Sequence, residues 1–275
     1  MHPALVQFGS LVIPSYGAIA ALGVLLALAL AQFTSQKAGI DPRHAWNTLV
    51  LAVFADIAAS RLTLIVLNLS DLRRHPTWLL SVAMVHHPLL AAIGILSGAL
   101  AILLYARWAK LSLRGVADCL AAPITLGYAF EQVGALFAGS DFGRDSASTS
   151  KLFAITYTSP LAARWSGTPL GVPLYPVQAY AAAGSLLLAA ILIACYGFRG
   201  RRPGEIAGVW LFGTGVLLFL TELFRDWEGR GVLLGGSVDA PQLVGLGLVL
   251  AGGLLLLSWR PRHLPNAVAQ KEMHV

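Results

Sequence analysis

The sequence predicts an all-α integral membrane protein with seven transmembrane helices, the N-terminus outside and the C-terminus cytoplasmic. Three observations carry this. Of the 275 residues 57% are hydrophobic and only 12% are charged, with a mean hydropathy of +0.72, whereas a soluble domain carries about 25% charged residues. Apolar runs close to the ~20 residues needed to cross a bilayer recur along the chain. Lys and Arg fall in the connections between them, with a bias that orients the bundle.

The expected spans are Leu11–Phe33, Trp46–Leu67, Pro88–Arg107, Val116–Ala138, Pro176–Phe198, Ile206–Phe224 and Ser237–Trp259. Ala29-Leu30-Ala31 in the first is similar to a cleavage site. No Lys or Arg precedes it, and the run is longer than the apolar part of a signal peptide, so an uncleaved span is expected. Eleven Lys and Arg lie on the side of Lys37, Arg107 and Arg202, and seven on the side of Arg144 and Arg225. The seven sit mostly in longer loops, which weigh less in orientation, so the first side is read as cytoplasmic.

Residues 1–275 read as a single polytopic domain. An outer-face loop covers about 139–175 and a mobile cytoplasmic tail covers 260–275. Residues 68–87, with LSDLRRHPTW, are long enough for a short interfacial helix. The net charge of +6 does not indicate nucleic acid, because the basic residues border apolar spans, where they contact anionic lipid. Cys119 and Cys195 lie in apolar segments and read as small buried hydrophobes, not as a disulfide framework. No metal is expected: His86-His87 lacks a third ligand at suitable spacing. The soluble-enzyme motifs GxGxxG, GxSxG, HExxH and the P-loop are absent, and no cofactor is expected.

Polar residues inside the spans are the functional signal, since an ionisable group at membrane depth usually faces a cavity or a partner. Asp56 and Arg61 are about 140° apart around the second span and need not pair. Asp118 opens the fourth span and Glu131 and Gln132 follow in it. Gln178 and Tyr180 open the fifth, Glu222 and Arg225 close the sixth at i, i+3, and Asp239 and Gln242 open the seventh. Apart from Asp118 these gather toward the outer half, as for a polar pocket open to the outer leaflet. For Glu131 the plainer alternative is a salt bridge to Arg61 or Arg225. Asp56, Arg61 and Glu131 would also suit a transporter, but the inverted repeats that would support one are not found.

Six strings, in order, resemble the prolipoprotein diacylglyceryl transferases, seven-span enzymes of the bacterial inner membrane. IPSYGAIAALG (13–23) is similar to the family's first-span WYG motif. SRLTLIVLN (60–68) is similar to ARLGYVLFY, and YARWAKLSLRGVADCLAAP (105–123) matches a turn and the start of the fourth span. EQVGALFAGSDFGR (131–144) resembles GRxGNFxNGExxGR, YPVQAY (175–180) resembles HPxQLYE, and FLTELFRDWEG (219–229) resembles RFxxEFFRxPD.

The resemblance implies transfer of the diacylglyceryl group of phosphatidylglycerol to a lipoprotein cysteine thiol, with release of glycerol phosphate. Phosphatidylglycerol-like phospholipid, preprolipoproteins and the membrane are the implied partners. The implied location is the bacterial inner membrane, as a multi-pass protein. Such a reaction needs a thiolate and a cationic clamp on phosphate, best made by arginine. Together with the intramembrane polar residues it nominates Tyr16, Glu131 and Glu222 as catalytic. Arg61, Gln132, Arg144, Gln178, Tyr180 and Arg225 are nominated for lipid and phosphate binding.

The chain also departs from the pattern. The signature's first arginine falls on Gln132, its asparagines on Ala135 and Ala138, and its glutamate on Ser140, beside Asp141. A histidine is replaced by Tyr175, the arginine opening the sixth-span motif falls on Leu218, and the third-span HGG falls on Ala92-Ile93-Gly94. These changes imply a divergent acceptor or a weakened reaction. The alternative is a non-catalytic paralogue that binds phospholipid or lipoprotein in the same pocket.

Overall fold

A computed structural model describes residues 2–8, 11–69, 88–148, 150, 153–197, 202–225, 232–233 and 238–257. The helices are α1 (Ser15–Ala38), α2 (Pro42–Leu67), α3 (Pro88–Trp108), α4 (Leu113–Ala138), α5 (Pro160–Ser166), α6 (Val177–Cys195), α7 (Glu205–Glu222) and α8 (Ala240–Leu257). Among the described residues, six of them are long and apolar enough to cross a membrane: α1, α2, α3, α6, α7 and α8. The protein is a helical integral membrane protein. The expected helix at 68–87, His86, His87 and the tail 260–275 lie outside the described residues.

The chain is not purely helical. The first span was expected from Leu11, but Leu11–Pro14 is a strand, β2, paired antiparallel with β1 (Ala4–Phe8). Leu-Val-Ile is β-prone and Pro14 offers no backbone N–H, so the helix begins only after it. The Ser15 N–H donates to Pro3 O at 2.8 Å, which fixes the hairpin to the start of α1. At its other end α1 runs past Phe33 to Ala38. Gly39 stops it with a left-handed φ of 71° and donates its N–H to Ser35 O.

The centre of the bundle is α4, which packs on α1, α6 and α7, while α2 and α3 pair mainly with each other. Lipid tails give no hydrophobic drive between helices, so close contact of small residues supplies the association. A Cβ at Gly134 would stand 3.1 Å from Tyr16 O, and one at Gly215 would stand 2.5 Å from Gly245 O. One at Gly252 would stand 2.5 Å from the Phe212 nitrogen. These glycines let α4 approach α1, and α7 approach α8, backbone to backbone. Gly94 serves α2 and α3 similarly, because a Cβ there would overlap the Asp56 carboxylate. Phe54, Leu62, Ile95, Leu96, Leu187, Leu250 and Leu254 stay exposed, which is the pattern of a surface meeting lipid rather than water.

At the Lys/Arg-rich end, Asp118 of α4 accepts the backbone N–H of Gly204 at 2.6 Å and that of Ala207 at 2.8 Å. A carboxylate from one helix thereby caps another, since these are among the N–H groups at the start of α7 that lack helical partners. Tyr196 donates its hydroxyl to Asp118 O, and Thr34 of α1 donates to Cys119 O at 2.7 Å. At the opposite end Asp239 and Gln242 form a reciprocal capping box on α8: Asp239 N–H donates to Gln242 Oε1 and Gln242 N–H to Asp239 Oδ1.

Candidate active site at the loop end of the bundle

The site grows from the last two turns of α4 and the end of α7. Glu131 faces α1, where Tyr16 sits in the first turn, and Gln132 lies next to it on α4. Tyr16 Oη donates to Glu131 Oε1 at 2.9 Å, and Gln132 Nε2 donates to Glu131 Oε2 at 2.7 Å. Each carboxylate oxygen has room for another donor. The expected salt bridge from Glu131 to Arg61 or Arg225 is not formed: a hydroxyl and an amide hold it instead. Gln132 is 2% exposed, and its Oε1 is buried without a hydrogen-bond partner among the described residues.

On α7, Glu222 and Arg225 meet as their i, i+3 spacing predicts, with Glu222 Oε1 3.2 Å from Arg225 Nε. The contact is an ion pair without hydrogen-bond alignment at Nε. Arg225 Nη1 also lies 3.4 Å from Asp141 Oδ1. Arg225 and Glu222 are 5% and 2% exposed, so the arginine is a buried cation between two carboxylates. Electrostatic influence from Asp141 and Arg225 reaches Glu131, and Arg61 acts on Tyr16, so both groups belong to one polar centre. Leu218, where the family pattern has an arginine, lies one turn before Glu222 on the same side of α7. Ala135 and Ala138 are buried in α4, where its asparagines would lie.

The loop after α4 is folded onto this centre by backbone pairing. Arg144 N–H donates to Phe224 O at 2.9 Å, Tyr175 N–H to Arg144 O at 3.0 Å, and Gly143 N–H to Tyr175 O at 3.2 Å. A Cβ at Gly143 would come within 2.6 Å of Tyr175 O and 2.7 Å of Phe224 O, so only glycine fits this seam. The Arg144 guanidinium is exposed and stands 5.8 Å from the Tyr175 ring centroid. Tyr175 and Tyr180 both pack on Phe224, at 5.4 and 5.7 Å between centroids.

Gln178, one of the lipid-binding nominees, packs into the protein interior. It is fully buried, and its Nε2 donates to Ser140 O at 2.6 Å and reaches Tyr157 Oη at 3.4 Å. Tyr157 in turn donates to Leu136 O, and burial pushes its hydroxyl up to about 12. Gln178 therefore ties α6 to the loop and holds the site in shape from behind. Tyr180 is placed among rings at the rim. The residue that sequence reasoning left out is Asp141. Its signal was only a carboxylate beside Ser140. Its φ of 55°, a left-handed value uncommon outside glycine, turns it toward Arg225.

Fold and site together define an integral membrane protein whose acids, arginine, amide and tyrosine gather at one end of an apolar bundle. The family profile for prolipoprotein diacylglyceryl transferase matches residues 3–258, and the chain belongs to this family. Over 275 aligned residues it is 30% identical to a phosphatidylglycerol–prolipoprotein diacylglyceryl transferase of Synechococcus elongatus, covering 97% of this chain and 91% of that one. It is 29% identical to one from Synechocystis sp., covering 96% and 92% of the two chains. It is 25% identical to one from Clostridium tetani, covering 92% and 95%.

Proposed function

We propose that the protein transfers the diacylglyceryl group of phosphatidylglycerol to the cysteine thiol of a preprolipoprotein. It would act as a single seven-span domain of the bacterial inner membrane, N-terminus outside, with α4 added to the six apolar helices as the fourth span in chain order and the site on the outer side. The observation that carries this reading is the junction of two groups in one family fold: Glu131 held by Tyr16 and Gln132, within electrostatic reach of Arg225, which is held by Glu222 and Asp141.

The chemistry follows from these roles. The thiolate sulfur attacks the glyceryl carbon that bears the phosphate oxygen. The C–S bond forms as the C–O bond breaks, and glycerol phosphate leaves with the bonding electron pair. Glu131 takes the thiol proton, with Tyr16 and Gln132 fixing its two oxygens. Arg225, supported by Arg61 and by Arg144 at the rim, faces the phosphate as charge builds on the leaving oxygen. Glu222 orients Arg225. With neutral Gln132 and Leu218 at two arginine positions, fewer cations meet the phosphate, and each 1.4 kcal/mol of lost stabilisation slows the step about tenfold. A slower transferase than its relatives is the expected result.

The test is to express the chain in bacteria depleted of their own transferase and to assay lipid-modified lipoprotein by mass spectrometry. Restored modification that disappears with Glu131→Gln supports the assignment. No modification despite verified membrane insertion would exclude this acceptor.

A further inference from the structure

Arg225 presents a charge problem. One guanidinium faces two carboxylates, Glu222 at 3.2 Å and Asp141 at 3.4 Å. A lipid phosphate drawn to this arginine meets a centre that is already negative, so one of the carboxylates has to give way.

The two are not equivalent. The Glu222 side chain is 3% exposed and sits on the same helix end as Arg225, where withdrawal would strand a buried charge. The Asp141 side chain is 34% exposed, and it comes from a loop. Its left-handed backbone is one that residues other than glycine adopt at some cost, so the ion pair with Arg225 has strain to offset. The chain is pinned on both sides of it. Ser140 O accepts Gln178 Nε2 at 2.6 Å, and Arg144 N–H is bonded to Phe224 O at 2.9 Å. Asp141 can therefore leave by a swing of its side chain, with the loop in place.

Its location fits a phosphate. Electrostatically Asp141 acts on Tyr16, Tyr128 and Glu131 as well as Arg225, so an anion in its stead lies among the groups that would perform transfer. We infer that Asp141 occupies, on Arg225, the position taken by the phosphate of the bound phospholipid, and is displaced by it. Asp141 is then a positioning residue that keeps Arg225 aimed and neutralised between turnovers and tunes affinity for the donor lipid. This rests on the reading of the site as a phospholipid-dependent transferase.

The inference predicts an unusual sign: deleting an ion-pair carboxylate should tighten ligand binding. Phosphatidylglycerol is titrated into the purified full-length protein in nanodiscs of phosphate-free lipid, with diacylglycerol as the phosphate-free control. Asp141→Asn keeps the size and tolerance of the left-handed turn, and should bind phosphatidylglycerol about fivefold more tightly than wild type, the scale of a partly exposed ion pair. Asp141→Gly, which relieves the backbone, should show the same gain. Diacylglycerol should show none, and Arg225→Gln combined with Asp141→Asn should abolish it. If wild type binds and transfers but Asp141→Asn binds equally or more weakly, the displacement idea is overturned and the transferase reading stands. If no variant prefers phosphatidylglycerol to diacylglycerol and none transfers, both are overturned.

Discussion

Helix α4 carries two carboxylates that read alike in sequence and act differently. Asp118, near its start, accepts two backbone N–H groups of α7. Glu131, near its end, accepts a tyrosine hydroxyl and a glutamine amide. Backbone donors at a helix terminus have nowhere else to go inside a membrane, so Asp118 is bound into the architecture. Side-chain donors can rotate, exchange and admit another molecule. The difference teaches that the partner, rather than burial or charge, separates a structural acid from one proposed to react.

The sharpest way to break this comparison is at Asp118. Asp118→Ala leaves two buried N–H groups of α7 without their acceptor. Hydrogen bonds to charged groups contribute about 1.5–3 kcal/mol each, so a loss of roughly 3–6 kcal/mol is expected. The readout is thermal unfolding in detergent, and an unshifted melting curve would refute the structural role. Glu131→Gln should do the opposite: stability nearly unchanged, and transfer reduced by at least about 100-fold if Glu131 takes the thiol proton. Retained transfer would assign that proton elsewhere.

Gly143→Ala should fall between. Its Cβ would press on two backbone oxygens at 2.6 and 2.7 Å, and overpacking of this kind typically costs about 1–3 kcal/mol. Protease cleavage in the loop at 139–175 should rise while the helices remain folded. The smallest effect concerns Tyr157. Its hydroxyl titrates near 10 when unfolded and is raised to about 12 in the fold, so its neutral form is favoured by the native loop. That stabilisation is complete below pH 10 and declines as pH rises from 10 toward 12. Trp165 fluorescence, followed through that range, should report loosening in wild type and less in Tyr157→Phe.

The helical membrane class was legible because composition and run length act through the bilayer, which leaves few alternatives. The i, i+3 spacing of Glu222 and Arg225 was equally legible, because their contact is local. The role of Asp118 was hidden: its donors, Gly204 and Ala207, are more than eighty residues away, and nothing near Asp118 announces them. The packing of Gln178 was hidden for a related reason. A family motif marks where a residue belongs but not which way its amide turns, and this amide turns to Ser140 and Tyr157. The hairpin before α1 was missed because Leu-Val-Ile satisfies both an apolar span and a strand, and Pro14 decides between them. Asp141 was invisible because its aim depends on a left-handed backbone, which spacing does not encode.

The two-ended attachment of α7 has a consequence for the bilayer itself. Asp118 holds its start, and the Arg144–Phe224 hydrogen bond holds the turn that follows it. With 18 residues it spans about 27 Å, against about 39 Å for the 26 residues of α4. A helix fixed at both ends cannot slide to suit a ~30 Å hydrocarbon layer, so local thinning of the layer is the expected accommodation. Such thinning would draw the headgroup plane inward, toward Arg225, and would make local membrane thickness a determinant of how easily the proposed donor lipid is reached. Transfer should accordingly slow in vesicles of longer acyl chains.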